Sequence, residues 1–280
     1  MNKFLVITNR KKDSHLELTE QIRYHLTIHG AQCHVFDDYG PEIDLPSAIP
    51  EGTECILIIG GDGTILGAAR ALVETGIPLL GINMGTMGFL ADVKPSALAA
   101  ALNRLLADDY RIEERIMLCA DVFRDGKKIC HYLALNEIYL MKAGVQTTVG
   151  LQIRINDVAF DSYMADGVIV CSPTGSTAYN LSAGGPIINP TCKNFVITPI
   201  CPHSLTARSV VLSKSDIVSV ILESGRNHND NSAIVCYDGR IGETIHQGDK
   251  VVIYRAGVVT PFVKVGEVNF VDILKEKMLR

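Results

Sequence analysis

The sequence predicts an α/β domain with a parallel sheet, followed by a mostly antiparallel β domain in the form of a sandwich. Two observations support this division. Short β-rich runs alternate with helical patterns over about the first hundred residues, whereas from Arg111 onward strand-length runs are separated by turn signals. The length of 280 residues also suits two domains, because a domain commonly has about 150 residues.

The first domain is predicted from strands and helices that alternate along the chain. Strands are expected at 4–8, 32–36, 55–59 and 78–82, and helices at 15–29, 64–74 and 96–106. Such alternation implies right-handed βαβ units and a Rossmann-like sheet with helices on its faces. Because 270–278 has a helical pattern again, the chain end is expected to return, and the domain is predicted to comprise 1–110 with 261–280.

The second domain, predicted at 111–260, is indicated by hairpin signals. Asp125-Gly126 separates two strand-like runs, and Asn156-Asp157 separates two more. Further apolar runs of strand length cover 168–171, 195–200, 217–222, 233–237 and 250–254.

Composition excludes several classes of partner. The net charge is −5 and no basic run occurs, so nucleic-acid binding is not expected. No apolar stretch is long enough for a membrane span or a signal peptide, so we expect no membrane association and a cytoplasmic location. The eight cysteines include no C-x-x-C pair, which is typical of buried thiols in a reducing compartment.

The segment Gly60-Gly61-Asp62-Gly63-Thr64 lies between a predicted strand and a predicted helix. In open parallel sheets ligands bind beyond the carboxyl ends of the strands, and glycines and a helix N-terminus suit phosphate. A carboxylate repels phosphate, so Asp62 is interpreted as a general base toward a hydroxyl or as a contact to phosphate-bound Mg²⁺. The alternative is a tight turn in which Asp62 caps the helix.

Three further segments carry candidate binding residues. A second glycine-rich loop at 81–90 contains Phe89, which either stacks on a flat ring or anchors the core. Asn136-Glu137 interrupts an apolar run, and the pair either binds sugar hydroxyls or forms structural hydrogen bonds. The run at 172–186 is dense in small and hydroxyl residues, which suits close approach of a nucleotide.

Common nucleotide-site and hydrolase motifs are missing from the sequence. It contains no Walker A motif and no G-x-G-x-x-G fingerprint, which disfavours P-loop enzymes and the usual dehydrogenases. It contains no G-x-S-x-G either, so a serine hydrolase has no support.

Four motifs in this order resemble the NAD kinase family: the segment at 60–64, Asn136-Glu137, Asp166-Gly167 and the run at 173–179. The resemblance covers nearly the whole chain, including 199–205. It implies transfer of a phosphoryl group from ATP, or from inorganic polyphosphate, to the 2′-hydroxyl of the adenosine ribose of NAD. It also implies that an α/β domain and a β domain enclose the site, and that the chain forms homotetramers or homodimers.

The resemblance assigns roles to individual residues. Asp62 is the implied base, and Mg²⁺ is expected to be held mainly through phosphates, with no certain protein ligand. The implied substrate- and nucleotide-binding residues are Gly60, Gly61, Gly63, Thr64, Phe89, Leu90, Asn136, Glu137, Asp166, Thr174, Thr177, Ala178, Tyr179 and Ser182.

The chain departs from the family pattern at Met164, where many members carry Arg, and this puts selectivity in doubt. Two other functions remain as alternatives. A lipid kinase of the diacylglycerol type would share the Gly-Gly-Asp-Gly loop but needs an apolar groove. A regulator that binds NAD or NADP without chemistry would gain nothing from a carboxylate beside phosphates.

Overall fold

The structure is a computed structural model that describes residues 1–37, 45–84, 88–144, 148–223, 232–266 and 269–278. It divides into two compact units. The first comprises Met1–Arg115 and Val259–Arg280, and the second comprises Ile116–Val258.

A parallel sheet with helices forms the first unit. Its strands are β1 (Lys3–Thr8), β2 (Gln32–Phe36), β3 (Cys55–Ile59) and β4 (Leu79–Ile82), and its helices include α1 (Glu17–Ile28), α2 (Asp62–Leu72) and α3 (Leu98–Leu106). The strand order is β2-β1-β3-β4, with all pairs parallel. All these elements match the predicted ones apart from one or two residues at some of their ends.

The central strand β3 is buried on both faces, as its continuous apolar sequence predicts. Cys55, Leu57 and Ile59 belong to one hydrophobic cluster with residues of α1 and α3. Because side chains alternate along a strand, Ile56 and Ile58 point to the opposite face, and both are fully buried as well.

The second unit is built from antiparallel strands in two sheets. In chain order the strands are β5 (Arg111–Arg124), β6 (Lys127–Ala134), β7 (Glu137–Lys142), β8 (Val149–Ile155), β9 (Val158–Ala165), β10 (Gly167–Cys171), β11 (Phe195–Ile200), β12 (Val210–Leu212), β13 (Ile217–Glu223), β14 (Ser232–Tyr237), β15 (Arg240–His246) and β16 (Lys250–Lys264). A short helix, α4 (Tyr179–Ser182), follows β10. The chain enters this unit within β5 and leaves it within β16.

One sheet has the order β12-β11-β10-β7-β14-β15, and the other contains the β8–β9 hairpin, β13 and β16. A single core of side chains from both sheets, including Leu151 and Val220 from one and Val168 and Phe195 from the other, joins them into a sandwich. The predicted fold class is therefore confirmed.

Both predicted hairpins are present, and their turns explain their register. Asn156 and Asp157 have φ values of 51° and 62°, and Asp125 and Gly126 have 51° and 74°. Two consecutive positive φ angles are what a two-residue turn of type I′ requires.

The chain end forms a last helix, α5 (Phe270–Met278), in the first unit. Glu276 on this helix pairs with Lys94, whose Nζ lies 3.1 Å from Oε1. Just before it, Phe262 of β16 pairs in parallel with Leu79 of β4. Over the described ranges, no helix has both the length and the apolar character that a bilayer crossing needs.

Candidate functional site

The glycine-rich loop after β3 leads directly into α2. Gly61 is the N-cap and is extended, with φ −92° and ψ 179°, and Asp62 is the first helical residue. The N–H of Gly60 donates to the carbonyl of Ile82 at 3.0 Å, which holds the loop against the end of β4. The first N–H groups of a helix lack partners within it, so this end of α2 favours an anion.

The carboxylate of Asp62 links this loop to the second glycine-rich segment. It accepts the N–H of Phe89 at 2.8 Å and the N–H of Leu90 at 3.3 Å. The alternative in which Asp62 caps α2 is therefore wrong, since Gly61 is the cap and the carboxylate bonds elsewhere. Of the predicted second loop, residues 85–87 lie outside the described residues.

Asn9, the residue after β1, also contacts this loop. Its Nδ2 donates to Oγ1 of Thr64 at 3.0 Å, and its N–H donates to the carbonyl of Ile59 at 3.2 Å. Thr64 is buried, so this contact orients its hydroxyl. Sequence reasoning missed Asn9, although a polar residue directly after a predicted parallel strand was an available signal.

Phe89 and Leu90 differ in what they expose. Leu90 is buried, so only its backbone reaches Asp62. Phe89 is half-buried, and its ring lies 6.5 Å from the ring of Phe270 with Nζ of Lys277 4.8 Å above its centroid. Helix α5 therefore contacts Phe89. The ring is partly packed, as a core anchor would be, and partly exposed, as a stacking ring would be.

In the second unit, Asn136 and Glu137 lie at a break between strands. The sequence predicted a polar pair inside one strand, but β6 ends at Ala134 and β7 begins at Glu137. Glu137 is 5% exposed, and its Oε2 and the Oδ1 of Asn136 are buried with no hydrogen-bond partner among the described residues. Buried polar atoms of this kind are expected to gain partners from ordered water or from a bound ligand.

The hydroxyl-rich run at 172–177 packs against this break. The N–H of Ser172 donates to the carbonyl of Asn136 at 2.8 Å, and the hydroxyl of Ser172 donates to the carbonyl of Leu135 at 2.5 Å. A β-carbon at Gly175 would lie 2.2 Å from the Asn136 carbonyl oxygen, so only glycine allows this approach. The fold thus brings together two predicted motifs that are distant in sequence.

The other predicted residues of this run differ in exposure. Thr174 is buried in a 3-10 turn, and Ser182 at the end of α4 is exposed. Tyr179 is half-buried, and its ring meets that of Tyr139 edge-on at 5.2 Å. Thr177 and Ala178 are also half-buried.

Asp166 lies at the other end of the same strand pair. In the antiparallel register of β10 and β7, Cys171 is opposite Glu137 and Gly167 is opposite Met141. Four residues of strand, about 13 Å, therefore separate Glu137 from the Asp166 end. Asp166 pairs with Lys142 at 2.7 Å, a partner that sequence reasoning did not identify.

The surroundings of Glu137 shift its pKa strongly. Burial, followed by the negative charge of Asp238, raises the pKa of Glu137 from an ordinary 4.5 to about 8. Asp238 was also missed from the sequence, because it acts across more than a hundred residues of chain through backbone contacts.

A Mg²⁺ ion would find few protein ligands. The part of the chain that the structure describes contains no group of three or more His, Cys, Asp or Glu side chains placed to hold a metal. Asp62 is a single carboxylate at the anion-favouring end of α2. This fits Mg²⁺, which is commonly bound by one or two carboxylates together with substrate phosphates.

Comparison with known proteins gives matches over both units. A family model described as the ATP-NAD kinase N-terminal domain matches residues 31–110, and one described as the ATP-NAD kinase C-terminal domain matches residues 135–265. The NAD kinase of Lachnoclostridium phytofermentans is 37% identical, covering 99% of each chain. The NAD kinase of Heliobacterium modesticaldum is 43% identical, covering 80% of this chain and 78% of the relative.

Two solved structures have the same fold. Yeast NADH kinase complexed with NADH has a TM-score of 0.85 and 23% identity, covering all of this chain and 87% of that one. An NAD kinase from Archaeoglobus fulgidus in complex with ATP has a TM-score of 0.74 and 25% identity, covering 94% and 93%. Together with the anion-favouring loop, these matches identify the class of the protein, which is a phosphotransferase. The chain belongs to the NAD kinase family.

Proposed function

We propose that this chain phosphorylates NAD, transferring the γ-phosphoryl group of ATP to the 2′-hydroxyl of the adenosine ribose and giving NADP. The observation that carries the proposal is the position of Asp62. Its carboxylate is held by two backbone N–H groups at the start of a helix that favours phosphate. A carboxylate in such a place is useful when a hydroxyl must lose its proton near phosphates.

In the proposed reaction Asp62 takes the proton of the 2′-hydroxyl as that oxygen bonds to the γ-phosphorus and ADP leaves. The N–H groups from Phe89 and Leu90 hold the carboxylate in one orientation, which reduces the entropy that is lost on reaching the transition state. Gly60, Gly61, Gly63 and Thr64 would contribute backbone and hydroxyl contacts to phosphate oxygens.

Mg²⁺ would be held by the phosphates, with Asp62 as the only acidic residue of the loop. When bound, it would neutralise the charge that develops on the transferred group.

The second unit would bind the nucleotide that accepts the phosphoryl group. Oδ1 of Asn136 and Oε2 of Glu137 have no partner in the described part of the chain, which supports hydrogen bonds to hydroxyls of NAD. The residues that would bind the adenosine are half-buried Thr177, Ala178 and Tyr179, exposed Ser182 and buried Thr174. Asp166 would contribute to the same site together with Lys142, its ion-pair partner. Phe89 and Leu90 would form a wall beside the adenosine.

Three expectations remain proposals: inorganic polyphosphate as a second donor and assembly into homotetramers or homodimers, which the resemblance implies, and a cytoplasmic location, which the composition indicates. All eight cysteines are free thiols, which supports a reducing compartment. The lipid-kinase and regulator alternatives have no support from the family matches.

The test is formation of NADP from NAD, ATP and Mg²⁺ by the purified protein, measured with a dehydrogenase that accepts only NADP. Asp62→Asn is expected to lower kcat by at least about a hundredfold while NAD binding is kept. The matched control is Asp125→Asn in an exposed hairpin turn. No NADP with ATP or polyphosphate would contradict the proposal, and full activity in Asp62→Asn would remove this residue from proton transfer.

A further inference from the structure

The break between β6 and β7 is held by one buried side chain from a distant turn. Both carboxylate oxygens of Asp238 accept backbone N–H groups, from Leu135 at 2.9 Å, Asn136 at 2.8 Å and Glu137 at 3.3 Å. In return, the N–H of Asp238 donates to the carbonyl of Glu137 at 3.0 Å. An ionised carboxylate has acceptor sites for all three of these donors.

The turn that carries Asp238 is tight and aligned with the break. Asp238 and Gly239 have φ values of 46° and 74° and connect β14 to β15 as a two-residue turn. Strand β14 pairs with β7, with Tyr237 opposite Ile138, so the turn is aligned with the start of β7. Asp238 is 8% exposed, so its charge is brought into a buried place beside Glu137.

Among the described residues, the titratable groups found to interact with Glu137 carry no positive charge. Those that interact with it electrostatically are Asp238 on the turn, Cys171 on β10, Tyr139 on its own strand and Tyr179 on α4. Burial raises the pKa of the Cys171 thiol and of both tyrosines, so these three groups remain neutral near physiological pH.

We propose that Asp238 is a positioning residue that fixes the backbone of Asn136 and Glu137 and keeps the Glu137 side chain neutral, so that Glu137 donates a hydrogen bond to a hydroxyl of the acceptor nucleotide. The proposal rests on the proposed function, and it adds the protonation state and the residue that sets it. Three backbone N–H groups that donate to Asp238, and a buried Oε2 of Glu137 with no partner among the described residues, lie in one short segment. The pKa of about 8 at Glu137 agrees with it.

A neutral Glu137 makes nucleotide binding sensitive to alkaline pH. Once ionised, its carboxylate can only accept a hydrogen bond, and its charge repels both Asp238 and the phosphates of the substrate. The kcat/KM for NAD is therefore expected to fall above pH 8, by about tenfold per pH unit, through a rise in KM.

The experiment measures kcat and KM for NAD at saturating ATP from about pH 6 to 9.5 in the wild type, Glu137→Gln, Asp238→Asn and the double variant. Glutamine keeps a donor and an acceptor but cannot ionise. We expect Glu137→Gln to lower kcat/KM by less than about tenfold near neutral pH and to abolish the alkaline fall.

Asp238→Asn removes the neighbouring charge, so the alkaline fall is expected to move to lower pH, with a KM for NAD raised about tenfold and kcat changed less than threefold. The double variant should have no alkaline fall. A merely structural role for Asp238 would weaken activity without moving the fall along the pH axis.

The inference is overturned if Glu137→Gln keeps the wild-type alkaline fall, or if folded Asp238→Asn leaves it at the same pH. If Asp238→Asn does not fold, Glu137→Gln alone decides. A wild type that forms no NADP at any pH contradicts the proposed function instead, so the two failures are distinguishable.

Discussion

Gly88 lies directly against Asp62: a β-carbon built at position 88 would be 1.6 Å from Oδ1 of the carboxylate and 2.4 Å from Oδ2. The two residues that follow Gly88 donate their N–H groups to this same carboxylate. Any side chain at position 88 must therefore displace either the carboxylate or the segment that holds it.

Gly88→Ala is expected to lower kcat by about a hundredfold, because a displacement of about 1 Å at a reacting group has an effect of this size. The protein should remain folded, with a loss of about 1–3 kcal/mol in the free energy of unfolding. The matched control is Gly257→Ala, where an added β-carbon meets no described atom within 4 Å. Steady-state kinetics and thermal unfolding of both variants check this, and wild-type kcat in Gly88→Ala would contradict it.

Glu137→Gln is expected to change how stability depends on pH. The folded-state pKa of about 8 exceeds the ordinary 4.5, so the folded protein holds this proton more tightly than the unfolded chain. This stabilisation is complete below pH 4.5 and is lost as the pH rises to about 8. The Tm of the variant minus that of the wild type should therefore increase over this interval, as measured by calorimetry at several pH values. A constant difference would be evidence against a buried, neutral Glu137.

Helix α5 is expected to influence binding through Phe89. Phe270→Ala removes the ring that contacts Phe89, and Lys277→Ala removes the cation above it. Each contact of this kind contributes about 0.5–1.5 kcal/mol, so the KM for NAD should rise about two- to tenfold if Phe89 lies beside the adenosine. Val271→Ala on the same helix, where Val271 is 54% exposed, is the control. Equal KM values in all three variants would place Phe89 outside the binding site.

The ion pair between Lys264 and Asp92 is expected to matter for stability. Nζ lies 2.6 Å from the carboxylate, and both side chains are nearly buried, at 10% and 13% exposure. Lys264→Met should lower the free energy of unfolding by about 3–5 kcal/mol, because it leaves a buried carboxylate without its cation. Adding Asp92→Asn should recover part of this loss.

Denaturant unfolding measures these differences. The comparison is Glu20→Gln, which breaks the exposed pair with Arg23 and should change stability by less than about 1 kcal/mol. Equal losses for the buried and the exposed pair would contradict the prediction.

Much of the fold could be predicted from local sequence. The alternation of strands and helices before Arg111, the apolar run of β3 and the turn pairs Asn156-Asp157 and Asp125-Gly126 are short-range signals, and the structure contains the elements they predict. The helix ends were less certain because capping depends on backbone angles. The start of α2 at Asp62, two residues before the predicted Thr64, follows from the extended Gly61.

The chemistry of the candidate site was also visible in part, since Asp62, Asn136 and Glu137 are polar residues at places where apolar runs stop. The groups that form hydrogen bonds with these residues could not be predicted from the sequence. Asp62 is held by Phe89 and Leu90 through backbone N–H groups, which every residue but proline possesses and which leave no mark in the sequence.

The sequence by itself determined the order of the elements and the residue types of the site, because periodicity, turn residues and glycine-rich loops act over a few neighbouring positions. Only the tertiary structure decided that Asp238 holds Asn136 and Glu137, that Gly175 packs on Asn136, and that Asp166 lies at the far end of β10. These relations depend on strand register and on burial. Both are set by the packing of distant segments, and the pKa of Glu137 is raised by its burial and by the charge of Asp238, a residue far away in sequence.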